Sequence, residues 1–278
     1  MDAPHAARRR LMLITPERVF YAGLLGRPTN RISNSFNLYV GLDGALAMAS
    51  GESRHDDADL IVTPPNLRHT ISSDGRSVVC IVIEPETVAP GGLERLAARL
   101  AGPERPRIAR SVRAAYAALS ERNSQEIGAQ EIGAPELDRL CFGEPLPPRP
   151  MDPRVVLAIA RITDFERAPT TATACAAAAR LSLSRFLHLF REETGASFRA
   201  FRAWKRARHL LHYVGEDVNL ARLAQDIGYP DSSHFSHSVR RFYGLKPRAI
   251  FSGSRELAVY RSPAAALRGG AKISVGAT

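Results

Sequence analysis

The sequence is poor in the features that mark secreted, metal-binding and membrane proteins. Its three cysteines, Cys80, Cys141 and Cys175, are far apart and form no CxxC pair. This spacing argues against a disulfide framework and a zinc knuckle, and it fits a reducing cytosol. No apolar run approaches the roughly 18 residues of a membrane span, and the N-terminus lacks the apolar core of a signal peptide. We therefore expect a cytoplasmic protein with no membrane partner, no metal and no cofactor.

The positive charge of the chain is concentrated in its second half. Residues 1–150 contain 18 basic and 18 acidic residues, so the formal net charge of +10 arises entirely after residue 150. A neutral half joined to a basic half favours a polyanionic partner for the second half alone. The alternative is a solvated basic surface with no partner. A length of 278 residues fits two domains better than one.

Apolar periodicity divides the chain into a strand-rich start and a helical remainder. Short alternating runs separated by Gly, Pro and Asp turns predict a small barrel or sandwich over residues 11–88. Steps of three and four predict amphipathic helices over residues 91–141, with stripes that pack either on the barrel or on a second subunit. Five prolines between residues 143 and 153 predict a linker, and a stretch rich in Gly, Ala and Ser after residue 253 predicts a flexible tail.

A short unit occurs twice after the linker. Residues 190–195 are matched by residues 239–244 at a spacing of 49 residues. Each copy has the pattern of a short helix, a tight turn and a second helix that ends at a glycine. Ser182 is the predicted N-cap of the second helix in the first copy, and Asp231 or Ser232 has that role in the second copy.

The second helix of each copy has one apolar face and one polar face. Phe186, Leu189 and Phe190 are predicted to be buried in the first copy, as are Phe235, Val239 and Phe242 in the second. Hydroxyl and imidazole groups on the opposite face can hydrogen-bond base edges, and a leucine there can touch a thymine methyl group. The residues predicted to face DNA bases are Ser184, Leu187, His188, Ser232, Ser233, Ser236 and His237.

Basic residues flank both polar faces. Their natural partners are phosphates, which provide affinity and register but little sequence preference. The residues predicted to contact phosphates are Arg185, Arg191, Arg240, Arg241 and Lys246. The alternatives are that Ser182 and Ser232 act only as helix caps, and that His188 and His237 are solvated surface residues.

Both copies resemble the AraC/XylS transcription regulators. Residues 181–190 with Gly195 are similar to the first recognition helix of that family, and residues 227–236 with 240–247 are similar to its C-terminal signature. The resemblance covers about 100 residues of the chain. It implies a seven-helix module with both recognition helices in adjacent major grooves on one DNA face. It also implies double-stranded DNA and RNA polymerase as partners.

A weaker resemblance concerns the first half. Residues 60–69 followed by residues 78–83 resemble the cupin-like sensor half of such regulators. This implies a barrel that binds a small effector, with His69 in the effector pocket, and helices that could form a homodimer. His55 and His69 are 14 positions apart and no His-x-His pair is present, which argues against an enzymatic metal site.

Together these patterns predict an α+β protein with an N-terminal cupin-like β-barrel, following helices and a C-terminal all-α domain with two helix-turn-helix units. The predicted domains are a sensor at residues 1–90, a helical segment that could dimerise at 91–142, a Pro-rich linker at 143–153, a DNA-binding domain at 154–252 and a flexible tail at 253–278.

The predicted function is sequence-specific transcription regulation without catalysis. One alternative is a non-specific architectural DNA-binding protein. Another is an enzyme fused to DNA-binding helices, such as a DNA-alkyl-transfer protein, which would need an activated cysteine thiolate.

Overall fold

The computed structural model describes residues 9–122, 132–165, 170–253 and 256–262. The strands are β1 Leu11–Ile14, β2 Arg18–Leu24, β3 Phe36–Gly41, β4 Leu46–Ser50, β5 Ser53–Ala58, β6 Leu60–Thr63, β7 Thr70–Ser73, β8 Ser77–Ile83 and β9 Ala258–Arg261. The helices are α1 Gly92–Ala101, α2 Arg105–Glu121, α3 Ala134–Phe142, α4 Pro153–Thr163, α5 Ala172–Ala178, α6 Leu183–Thr194, α7 Phe198–His209, α8 Leu220–Asp226, α9 Ser232–Tyr243 and α10 Pro247–Gly253, with short 3₁₀ turns at Pro85–Thr87 and Leu210–Tyr213.

The N-terminal half contains two sheets. The larger has six strands in the order β6-β3-β8-β2-β1-β9, and the smaller has three in the order β5-β4-β7. Strand β8 lies between β2 and β3 and pairs with both in antiparallel register. Its run of Val and Ile residues suits a central strand, because branched side chains pack well on a pleated surface. The predicted β-rich first half and helical second half are confirmed.

The helices α1, α2 and α3 cover the larger sheet. The predicted stripe residues Leu96, Leu100, Val112 and Leu119 are buried in one apolar core with strands β2, β3 and β8. The sequence left open whether these stripes pack within the chain or on a second subunit. In the structure they pack within the chain, so a homodimer would have to use another surface.

The Pro-rich linker is fastened to the N-terminal half along part of its length. The backbone amide of Ala89 donates to the carbonyl oxygen of Pro147 at 2.8 Å, and the amide of Arg149 donates to the carbonyl oxygen of Thr87 at 3.2 Å. Leu146 is also buried, and its amide donates to the Asp138 carboxylate at 3.1 Å. These contacts fix part of the linker against the N-terminal half, so it is not a free spacer between the two halves.

The prediction of a flexible tail is wrong for the part of it that the structure describes beyond α10. Residues 258–261 form β9, which pairs in parallel with β1 at the edge of the larger sheet. Tyr260 is buried there. Local composition could not reveal this strand, because its partner is the first strand of the chain. Residues 263–278 of the predicted tail lie outside the described residues.

The C-terminal half is helical and has two apolar cores. One is built around α4, α5 and α6, and the other around α8 and α9. Helix α7 runs between them and ends in the 3₁₀ turn at Leu210–Tyr213. Within the described residues, every helix is too short or too polar to cross a lipid bilayer.

Candidate nucleic-acid interface

The first unit, residues 172–194, consists of α5, a tight turn and α6. The Ser182 hydroxyl accepts a hydrogen bond from the Arg185 amide at 3.3 Å, so the predicted N-cap is confirmed. The turn places Arg180 in the left-handed region with φ of 54°, and the Leu181 amide closes it by donating to Ala176 at 3.0 Å. Helix α6 ends at Gly195, whose φ is 71°.

An aromatic cluster fixes the buried face of α6. Phe186 and Phe190 are fully buried. The Phe190 ring meets Phe198 and Phe201 of α7 edge-on, with centroids 5.3 and 5.2 Å apart. Cys175 belongs to the same core, in which α5 contributes only small side chains. Because the phenylalanines fill this face, the rotation of α6 about its axis is set.

The opposite face of α6 is open to solvent. Ser184, Leu187 and His188 are all exposed, and 37 % of the Leu187 surface is accessible. A thymine methyl group is an apolar partner that a leucine at this position can contact. The structure therefore places the three predicted base-facing residues on one accessible surface. Their contact with bases stays a prediction.

The second unit, residues 220–243, repeats this arrangement with α8 and α9. Asp231 is the N-cap of α9, because its carboxylate accepts hydrogen bonds from the amides of Ser233 and His234 at 2.8 and 2.9 Å. This resolves the predicted choice between Asp231 and Ser232. Gly228 supplies the left-handed turn residue, with φ of 81°. Helix α9 ends at Gly244 with φ of 71°, as α6 does at Gly195.

The faces of α9 follow the same logic. Phe235, Val239 and Phe242 are buried as predicted. Of the predicted base-facing residues, Ser232, Ser233 and His237 are exposed and Ser236 is half-buried. The phosphate-contact candidates are all exposed: Arg185, Arg191, Arg240, Arg241 and Lys246.

Helix α7 joins the two units and is anchored on the N-terminal half by a group of buried charges, here called the Glu84 cluster (Glu84, Glu86, Lys205 and Arg208). The Lys205 ammonium donates to both carboxylates at 2.5 Å. Arg208 Nε lies 2.8 Å from Glu84 Oε1. The indole of Trp204 also donates to Glu84, at 3.0 Å. Glu84 is completely buried, and Lys205 and Arg208 are nearly so.

The cluster compensates the cost of burying its charges by pairing them. Burial alone would raise the pKa of Glu84, but the charges of Lys205 and Arg208 and the bonds from Lys205 and Trp204 lower it. Burial raises the pKa of Glu86, and Lys205 only partly offsets this effect. Arg208 also donates to the backbone oxygens of Thr15 and Arg18. Paired buried charges of this kind fix one geometry, because separating them leaves a charge without a partner in the interior.

Comparison with known proteins agrees with this geometry. Residues 175–252 match a family model described as a helix-turn-helix domain. The chain carries an AraC-type helix-turn-helix domain. The match supports DNA binding by this part of the chain. No curated protein sequence matches the chain.

Solved structures resemble the chain in fold. A ToxT variant from Vibrio cholerae, in its apo form, is 10 % identical, covers 86 % of this chain and 98 % of its own, and has a TM-score of 0.52. That likeness covers the N-terminal half as well as the AraC-type domain, so the two-part architecture is shared. The C-terminal domain of AraT from Geobacillus stearothermophilus is 19 % identical, covers 37 % of this chain and 86 % of its own, and has a TM-score of 0.34. The DNA-binding domain of AdpA, solved with a target DNA, is 19 % identical, covers 37 % and 93 % of the two chains, and has a TM-score of 0.35.

The candidate effector residue His69 lies far from the AraC-type domain in the sequence and is 2 % exposed. Its Nδ1 is 3.0 Å from the Leu67 carbonyl oxygen, and its Nε2 is 3.4 Å from the Tyr39 hydroxyl. Burial lowers the pKa of His69. Both ring nitrogens thus have protein partners, which is the arrangement of a structural histidine. Its role in an effector pocket stays a prediction.

The Glu84 cluster escaped the sequence analysis. Charged residues on a helix of a DNA-binding domain are usually predicted to face solvent or DNA. The sequence around Lys205 and Arg208 contains no pattern that would predict their burial. Their partners lie about 120 residues earlier, directly after the apolar strand β8. Two glutamates at the end of a fully apolar strand, Glu84 and Glu86, are the one local hint that charges are buried there.

Proposed function

We propose that this protein is a sequence-specific transcription regulator that inserts α6 and α9 into adjacent major grooves of DNA. The supporting observation is that both helices bury a phenylalanine-rich face and present an equivalent polar face outward. Ser184, Leu187 and His188 form that face on α6. On α9 it is formed by Ser232, Ser233, Ser236 and His237. A regulator of this kind acts in the cytoplasm, where its DNA is.

The rigid connection between the units supports simultaneous binding. Helix α7 has 12 residues and therefore spans about 18 Å, and the following 3₁₀ turn extends the connection. Since α7 contacts both units and is joined to Glu84 of the N-terminal half through Lys205 and Arg208, we expect it to hold the two recognition helices at a fixed separation. Adjacent major grooves on one face of B-DNA are about 34 Å apart, and this is the spacing at which we expect α6 and α9 to be held.

The first experiment is selection of bound sequences from a random DNA library, followed by affinity measurements on the selected operator. Alanine at His188 or His237 should weaken operator binding by about 1–3 kcal/mol and leave random DNA unaffected. Each substitution should relax the sequence preference in one half of the operator only.

The matched control is His234→Ala. His234 lies on the same helix as His237, but its Nδ1 is 2.8 Å from the carboxylate of the N-cap Asp231. It should therefore change operator specificity little. A selection that returns no preferred sequence would reject this proposal in favour of non-specific, architectural binding.

Phosphate contacts need a separate test. Arg240→Ala should weaken binding to every sequence and reduce the slope of log affinity against log salt by about one unit. The slope is measured on the selected operator and on random DNA. An unchanged slope would contradict the assignment of Arg240 to a phosphate.

Control by a small effector is part of the proposal, as are contacts with RNA polymerase and a homodimer. A regulator with a folded N-terminal half joined to α7 by buried charges has the means to transmit a binding event to its recognition helices. The catalytic alternative has no such support. Burial raises the pKa of Cys80 to about 12 and also raises that of Cys141, so neither is an activated thiolate.

A further inference from the structure

The two recognition helices match each other residue by residue at a spacing of 49, and they differ in one part of their exposed surface. Both have 12 residues, begin directly after the N-cap and end directly before a glycine with φ of 71°. The residues that both copies share are Ser184 with Ser233, Phe186 with Phe235, and His188 with His237. Leu183 and Leu187, in contrast, are matched by Ser232 and Ser236. The second copy thus has a hydroxyl group at both positions.

Leu183 and Leu187 form one continuous apolar surface on α6, here called the leucine strip. They are 43 % and 37 % exposed, and residues four apart lie on the same side of a helix. At about 3.6 residues per turn, the strip lies between the buried face that contains Phe190 and the exposed pair Ser184 and His188. Leu187 is already a predicted base-facing residue. Leu183 extends the same surface by one turn toward the start of the helix.

The leucine strip and its serine counterparts suit different groups on base edges. A leucine side chain has no hydrogen-bonding group, so in a groove it gains only apolar contacts. The apolar group that a base presents in the major groove is the C5 methyl of thymine. A serine hydroxyl donates and accepts hydrogen bonds and therefore suits the polar groups of base edges.

The length of the leucine strip limits which bases it can contact. Side chains four residues apart are separated by about 6 Å along a helix axis. Successive base pairs of B-DNA are about 3.4 Å apart. The strip therefore has the length to contact two thymines, on either strand, that lie no more than about two base pairs apart.

We propose that the two recognition helices read the operator by different chemistry. The leucine strip of α6 contacts the methyl groups of two nearby thymines, and Ser184 and His188 bind polar edges beside them. Helix α9 has Ser232 and Ser236 at the equivalent positions and reads its half of the operator by hydrogen bonds, without a methyl contact. This inference rests on the proposed function. It adds Leu183 as a specificity-determining residue and the thymine methyl as the group that α6 recognises.

The experiment uses the full chain and the operator obtained by selection. Thymines are replaced by deoxyuridine in one half of the operator at a time, which removes the C5 methyl and keeps base pairing and the O4 acceptor. In one half only, each lost methyl contact should weaken binding about fourfold, as for one buried methylene, and two should weaken it roughly 15-fold. The same replacement in the other half should leave the affinity unchanged.

A double variant connects the methyl dependence to the leucine strip. Leu183→Ser combined with Leu187→Ser gives α6 the side chains of α9 at these positions, and both sites are exposed. The variant should bind the thymine and deoxyuridine operators equally. The matched control, Leu157→Ser, removes a leucine of α4 that is 44 % exposed and should keep the wild-type ratio of the two affinities. This ratio is the readout, because a merely structural role of the leucines would weaken binding to both operators alike.

Several results would overturn the inference while leaving the proposed function intact. They are an operator without two such thymines in either half, equal losses from deoxyuridine in both halves, and a methyl dependence that survives in the double variant. If the strip instead packs on a second copy of the chain, sedimentation should show a dimer that the double variant loses, with no effect of deoxyuridine. A selection that returns no preferred sequence would reject the proposed function itself before any thymine is replaced.

Discussion

The two helix-turn-helix units have the same internal design but different surroundings. The first unit packs mainly on α4 and α7, through Phe186 and Phe190. Both units contact the N-terminal half: α6 lies against the 3₁₀ turn at Pro85–Thr87, and the second unit is hydrogen-bonded to that half. The carbonyl oxygen of Arg241 accepts a hydrogen bond from the Ile32 amide at 2.9 Å, and the carbonyl of Gly244 accepts one from the Thr29 hydroxyl at 2.5 Å.

This difference indicates how the N-terminal half can influence DNA binding. A shift in that half reaches the end of α9 directly, through Thr29 and Ile32. It reaches α6 through the packing of that helix on the 3₁₀ turn Pro85–Thr87, and through α7 and the Glu84 cluster. Because the contact of the second unit includes hydrogen bonds at the end of α9, we expect the second recognition helix to be the more sensitive reporter of the state of the N-terminal half. Three substitution experiments sharpen the comparison of the two units and their surroundings.

The largest effect should come from breaking the Glu84 cluster. Glu84→Ala leaves Arg208 and Lys205 buried with fewer partners, and we expect the free energy of unfolding to fall by about 3–5 kcal/mol. Chemical denaturation measures the change. Glu144→Ala is the control, because Glu144 pairs with Arg99 at the surface and is 67 % exposed, so little change is expected. Similar losses for both variants would show that the cluster has no special role.

An intermediate effect is expected at the glycines that end the two recognition helices. Both have φ of 71°, so alanine should cost about 1 kcal/mol at either position. A Cβ at Gly195 would meet nothing within 4 Å, whereas one at Gly244 would lie 2.3 Å from the Thr29 hydroxyl. Gly244→Ala should therefore cost roughly 1–2 kcal/mol more than Gly195→Ala. Thr29→Ala in the same chain should relieve that excess at Gly244 and change nothing at Gly195.

The smallest effect should be the loss of stability in the first turn of α9 at low pH. The amide and side chain of His234 and the amide of Ser233 hold the pKa of Asp231 below its usual value. A carboxyl with a lowered folded-state pKa stabilises the fold above its unfolded-state pKa, and this contribution is lost as pH falls through the folded-state value. Below about pH 4 the first turn of α9 should weaken more than that of α6, whose cap Ser182 does not titrate. Backbone chemical shifts measure both turns, and Asp231→Asn should abolish the difference.

Local signals were sufficient to predict the recognition helices. Ser182 and the spacing of Phe186 and Phe190 depend only on neighbours in the chain, and the structure confirms the cap and the buried face. Burial on α7 was harder to predict. Phe198, Phe201 and Trp204 are buried on this helix, but Lys205 is also buried, because the helix is covered from a second direction by the N-terminal half. Helical periodicity reports one buried face and cannot reveal a second covered by a distant segment.

Strand β9 sets a limit on how this chain can be divided. Without it, β1 would become the edge of the larger sheet, with Leu11, Met12, Leu13 and Ile14 in a strand open to pairing with other chains. A truncation before residue 258 would thus leave β1 as an unpaired edge strand to which other chains could bind. Poor solubility of such a shortened protein would reflect that missing strand, even with the DNA-binding helices intact.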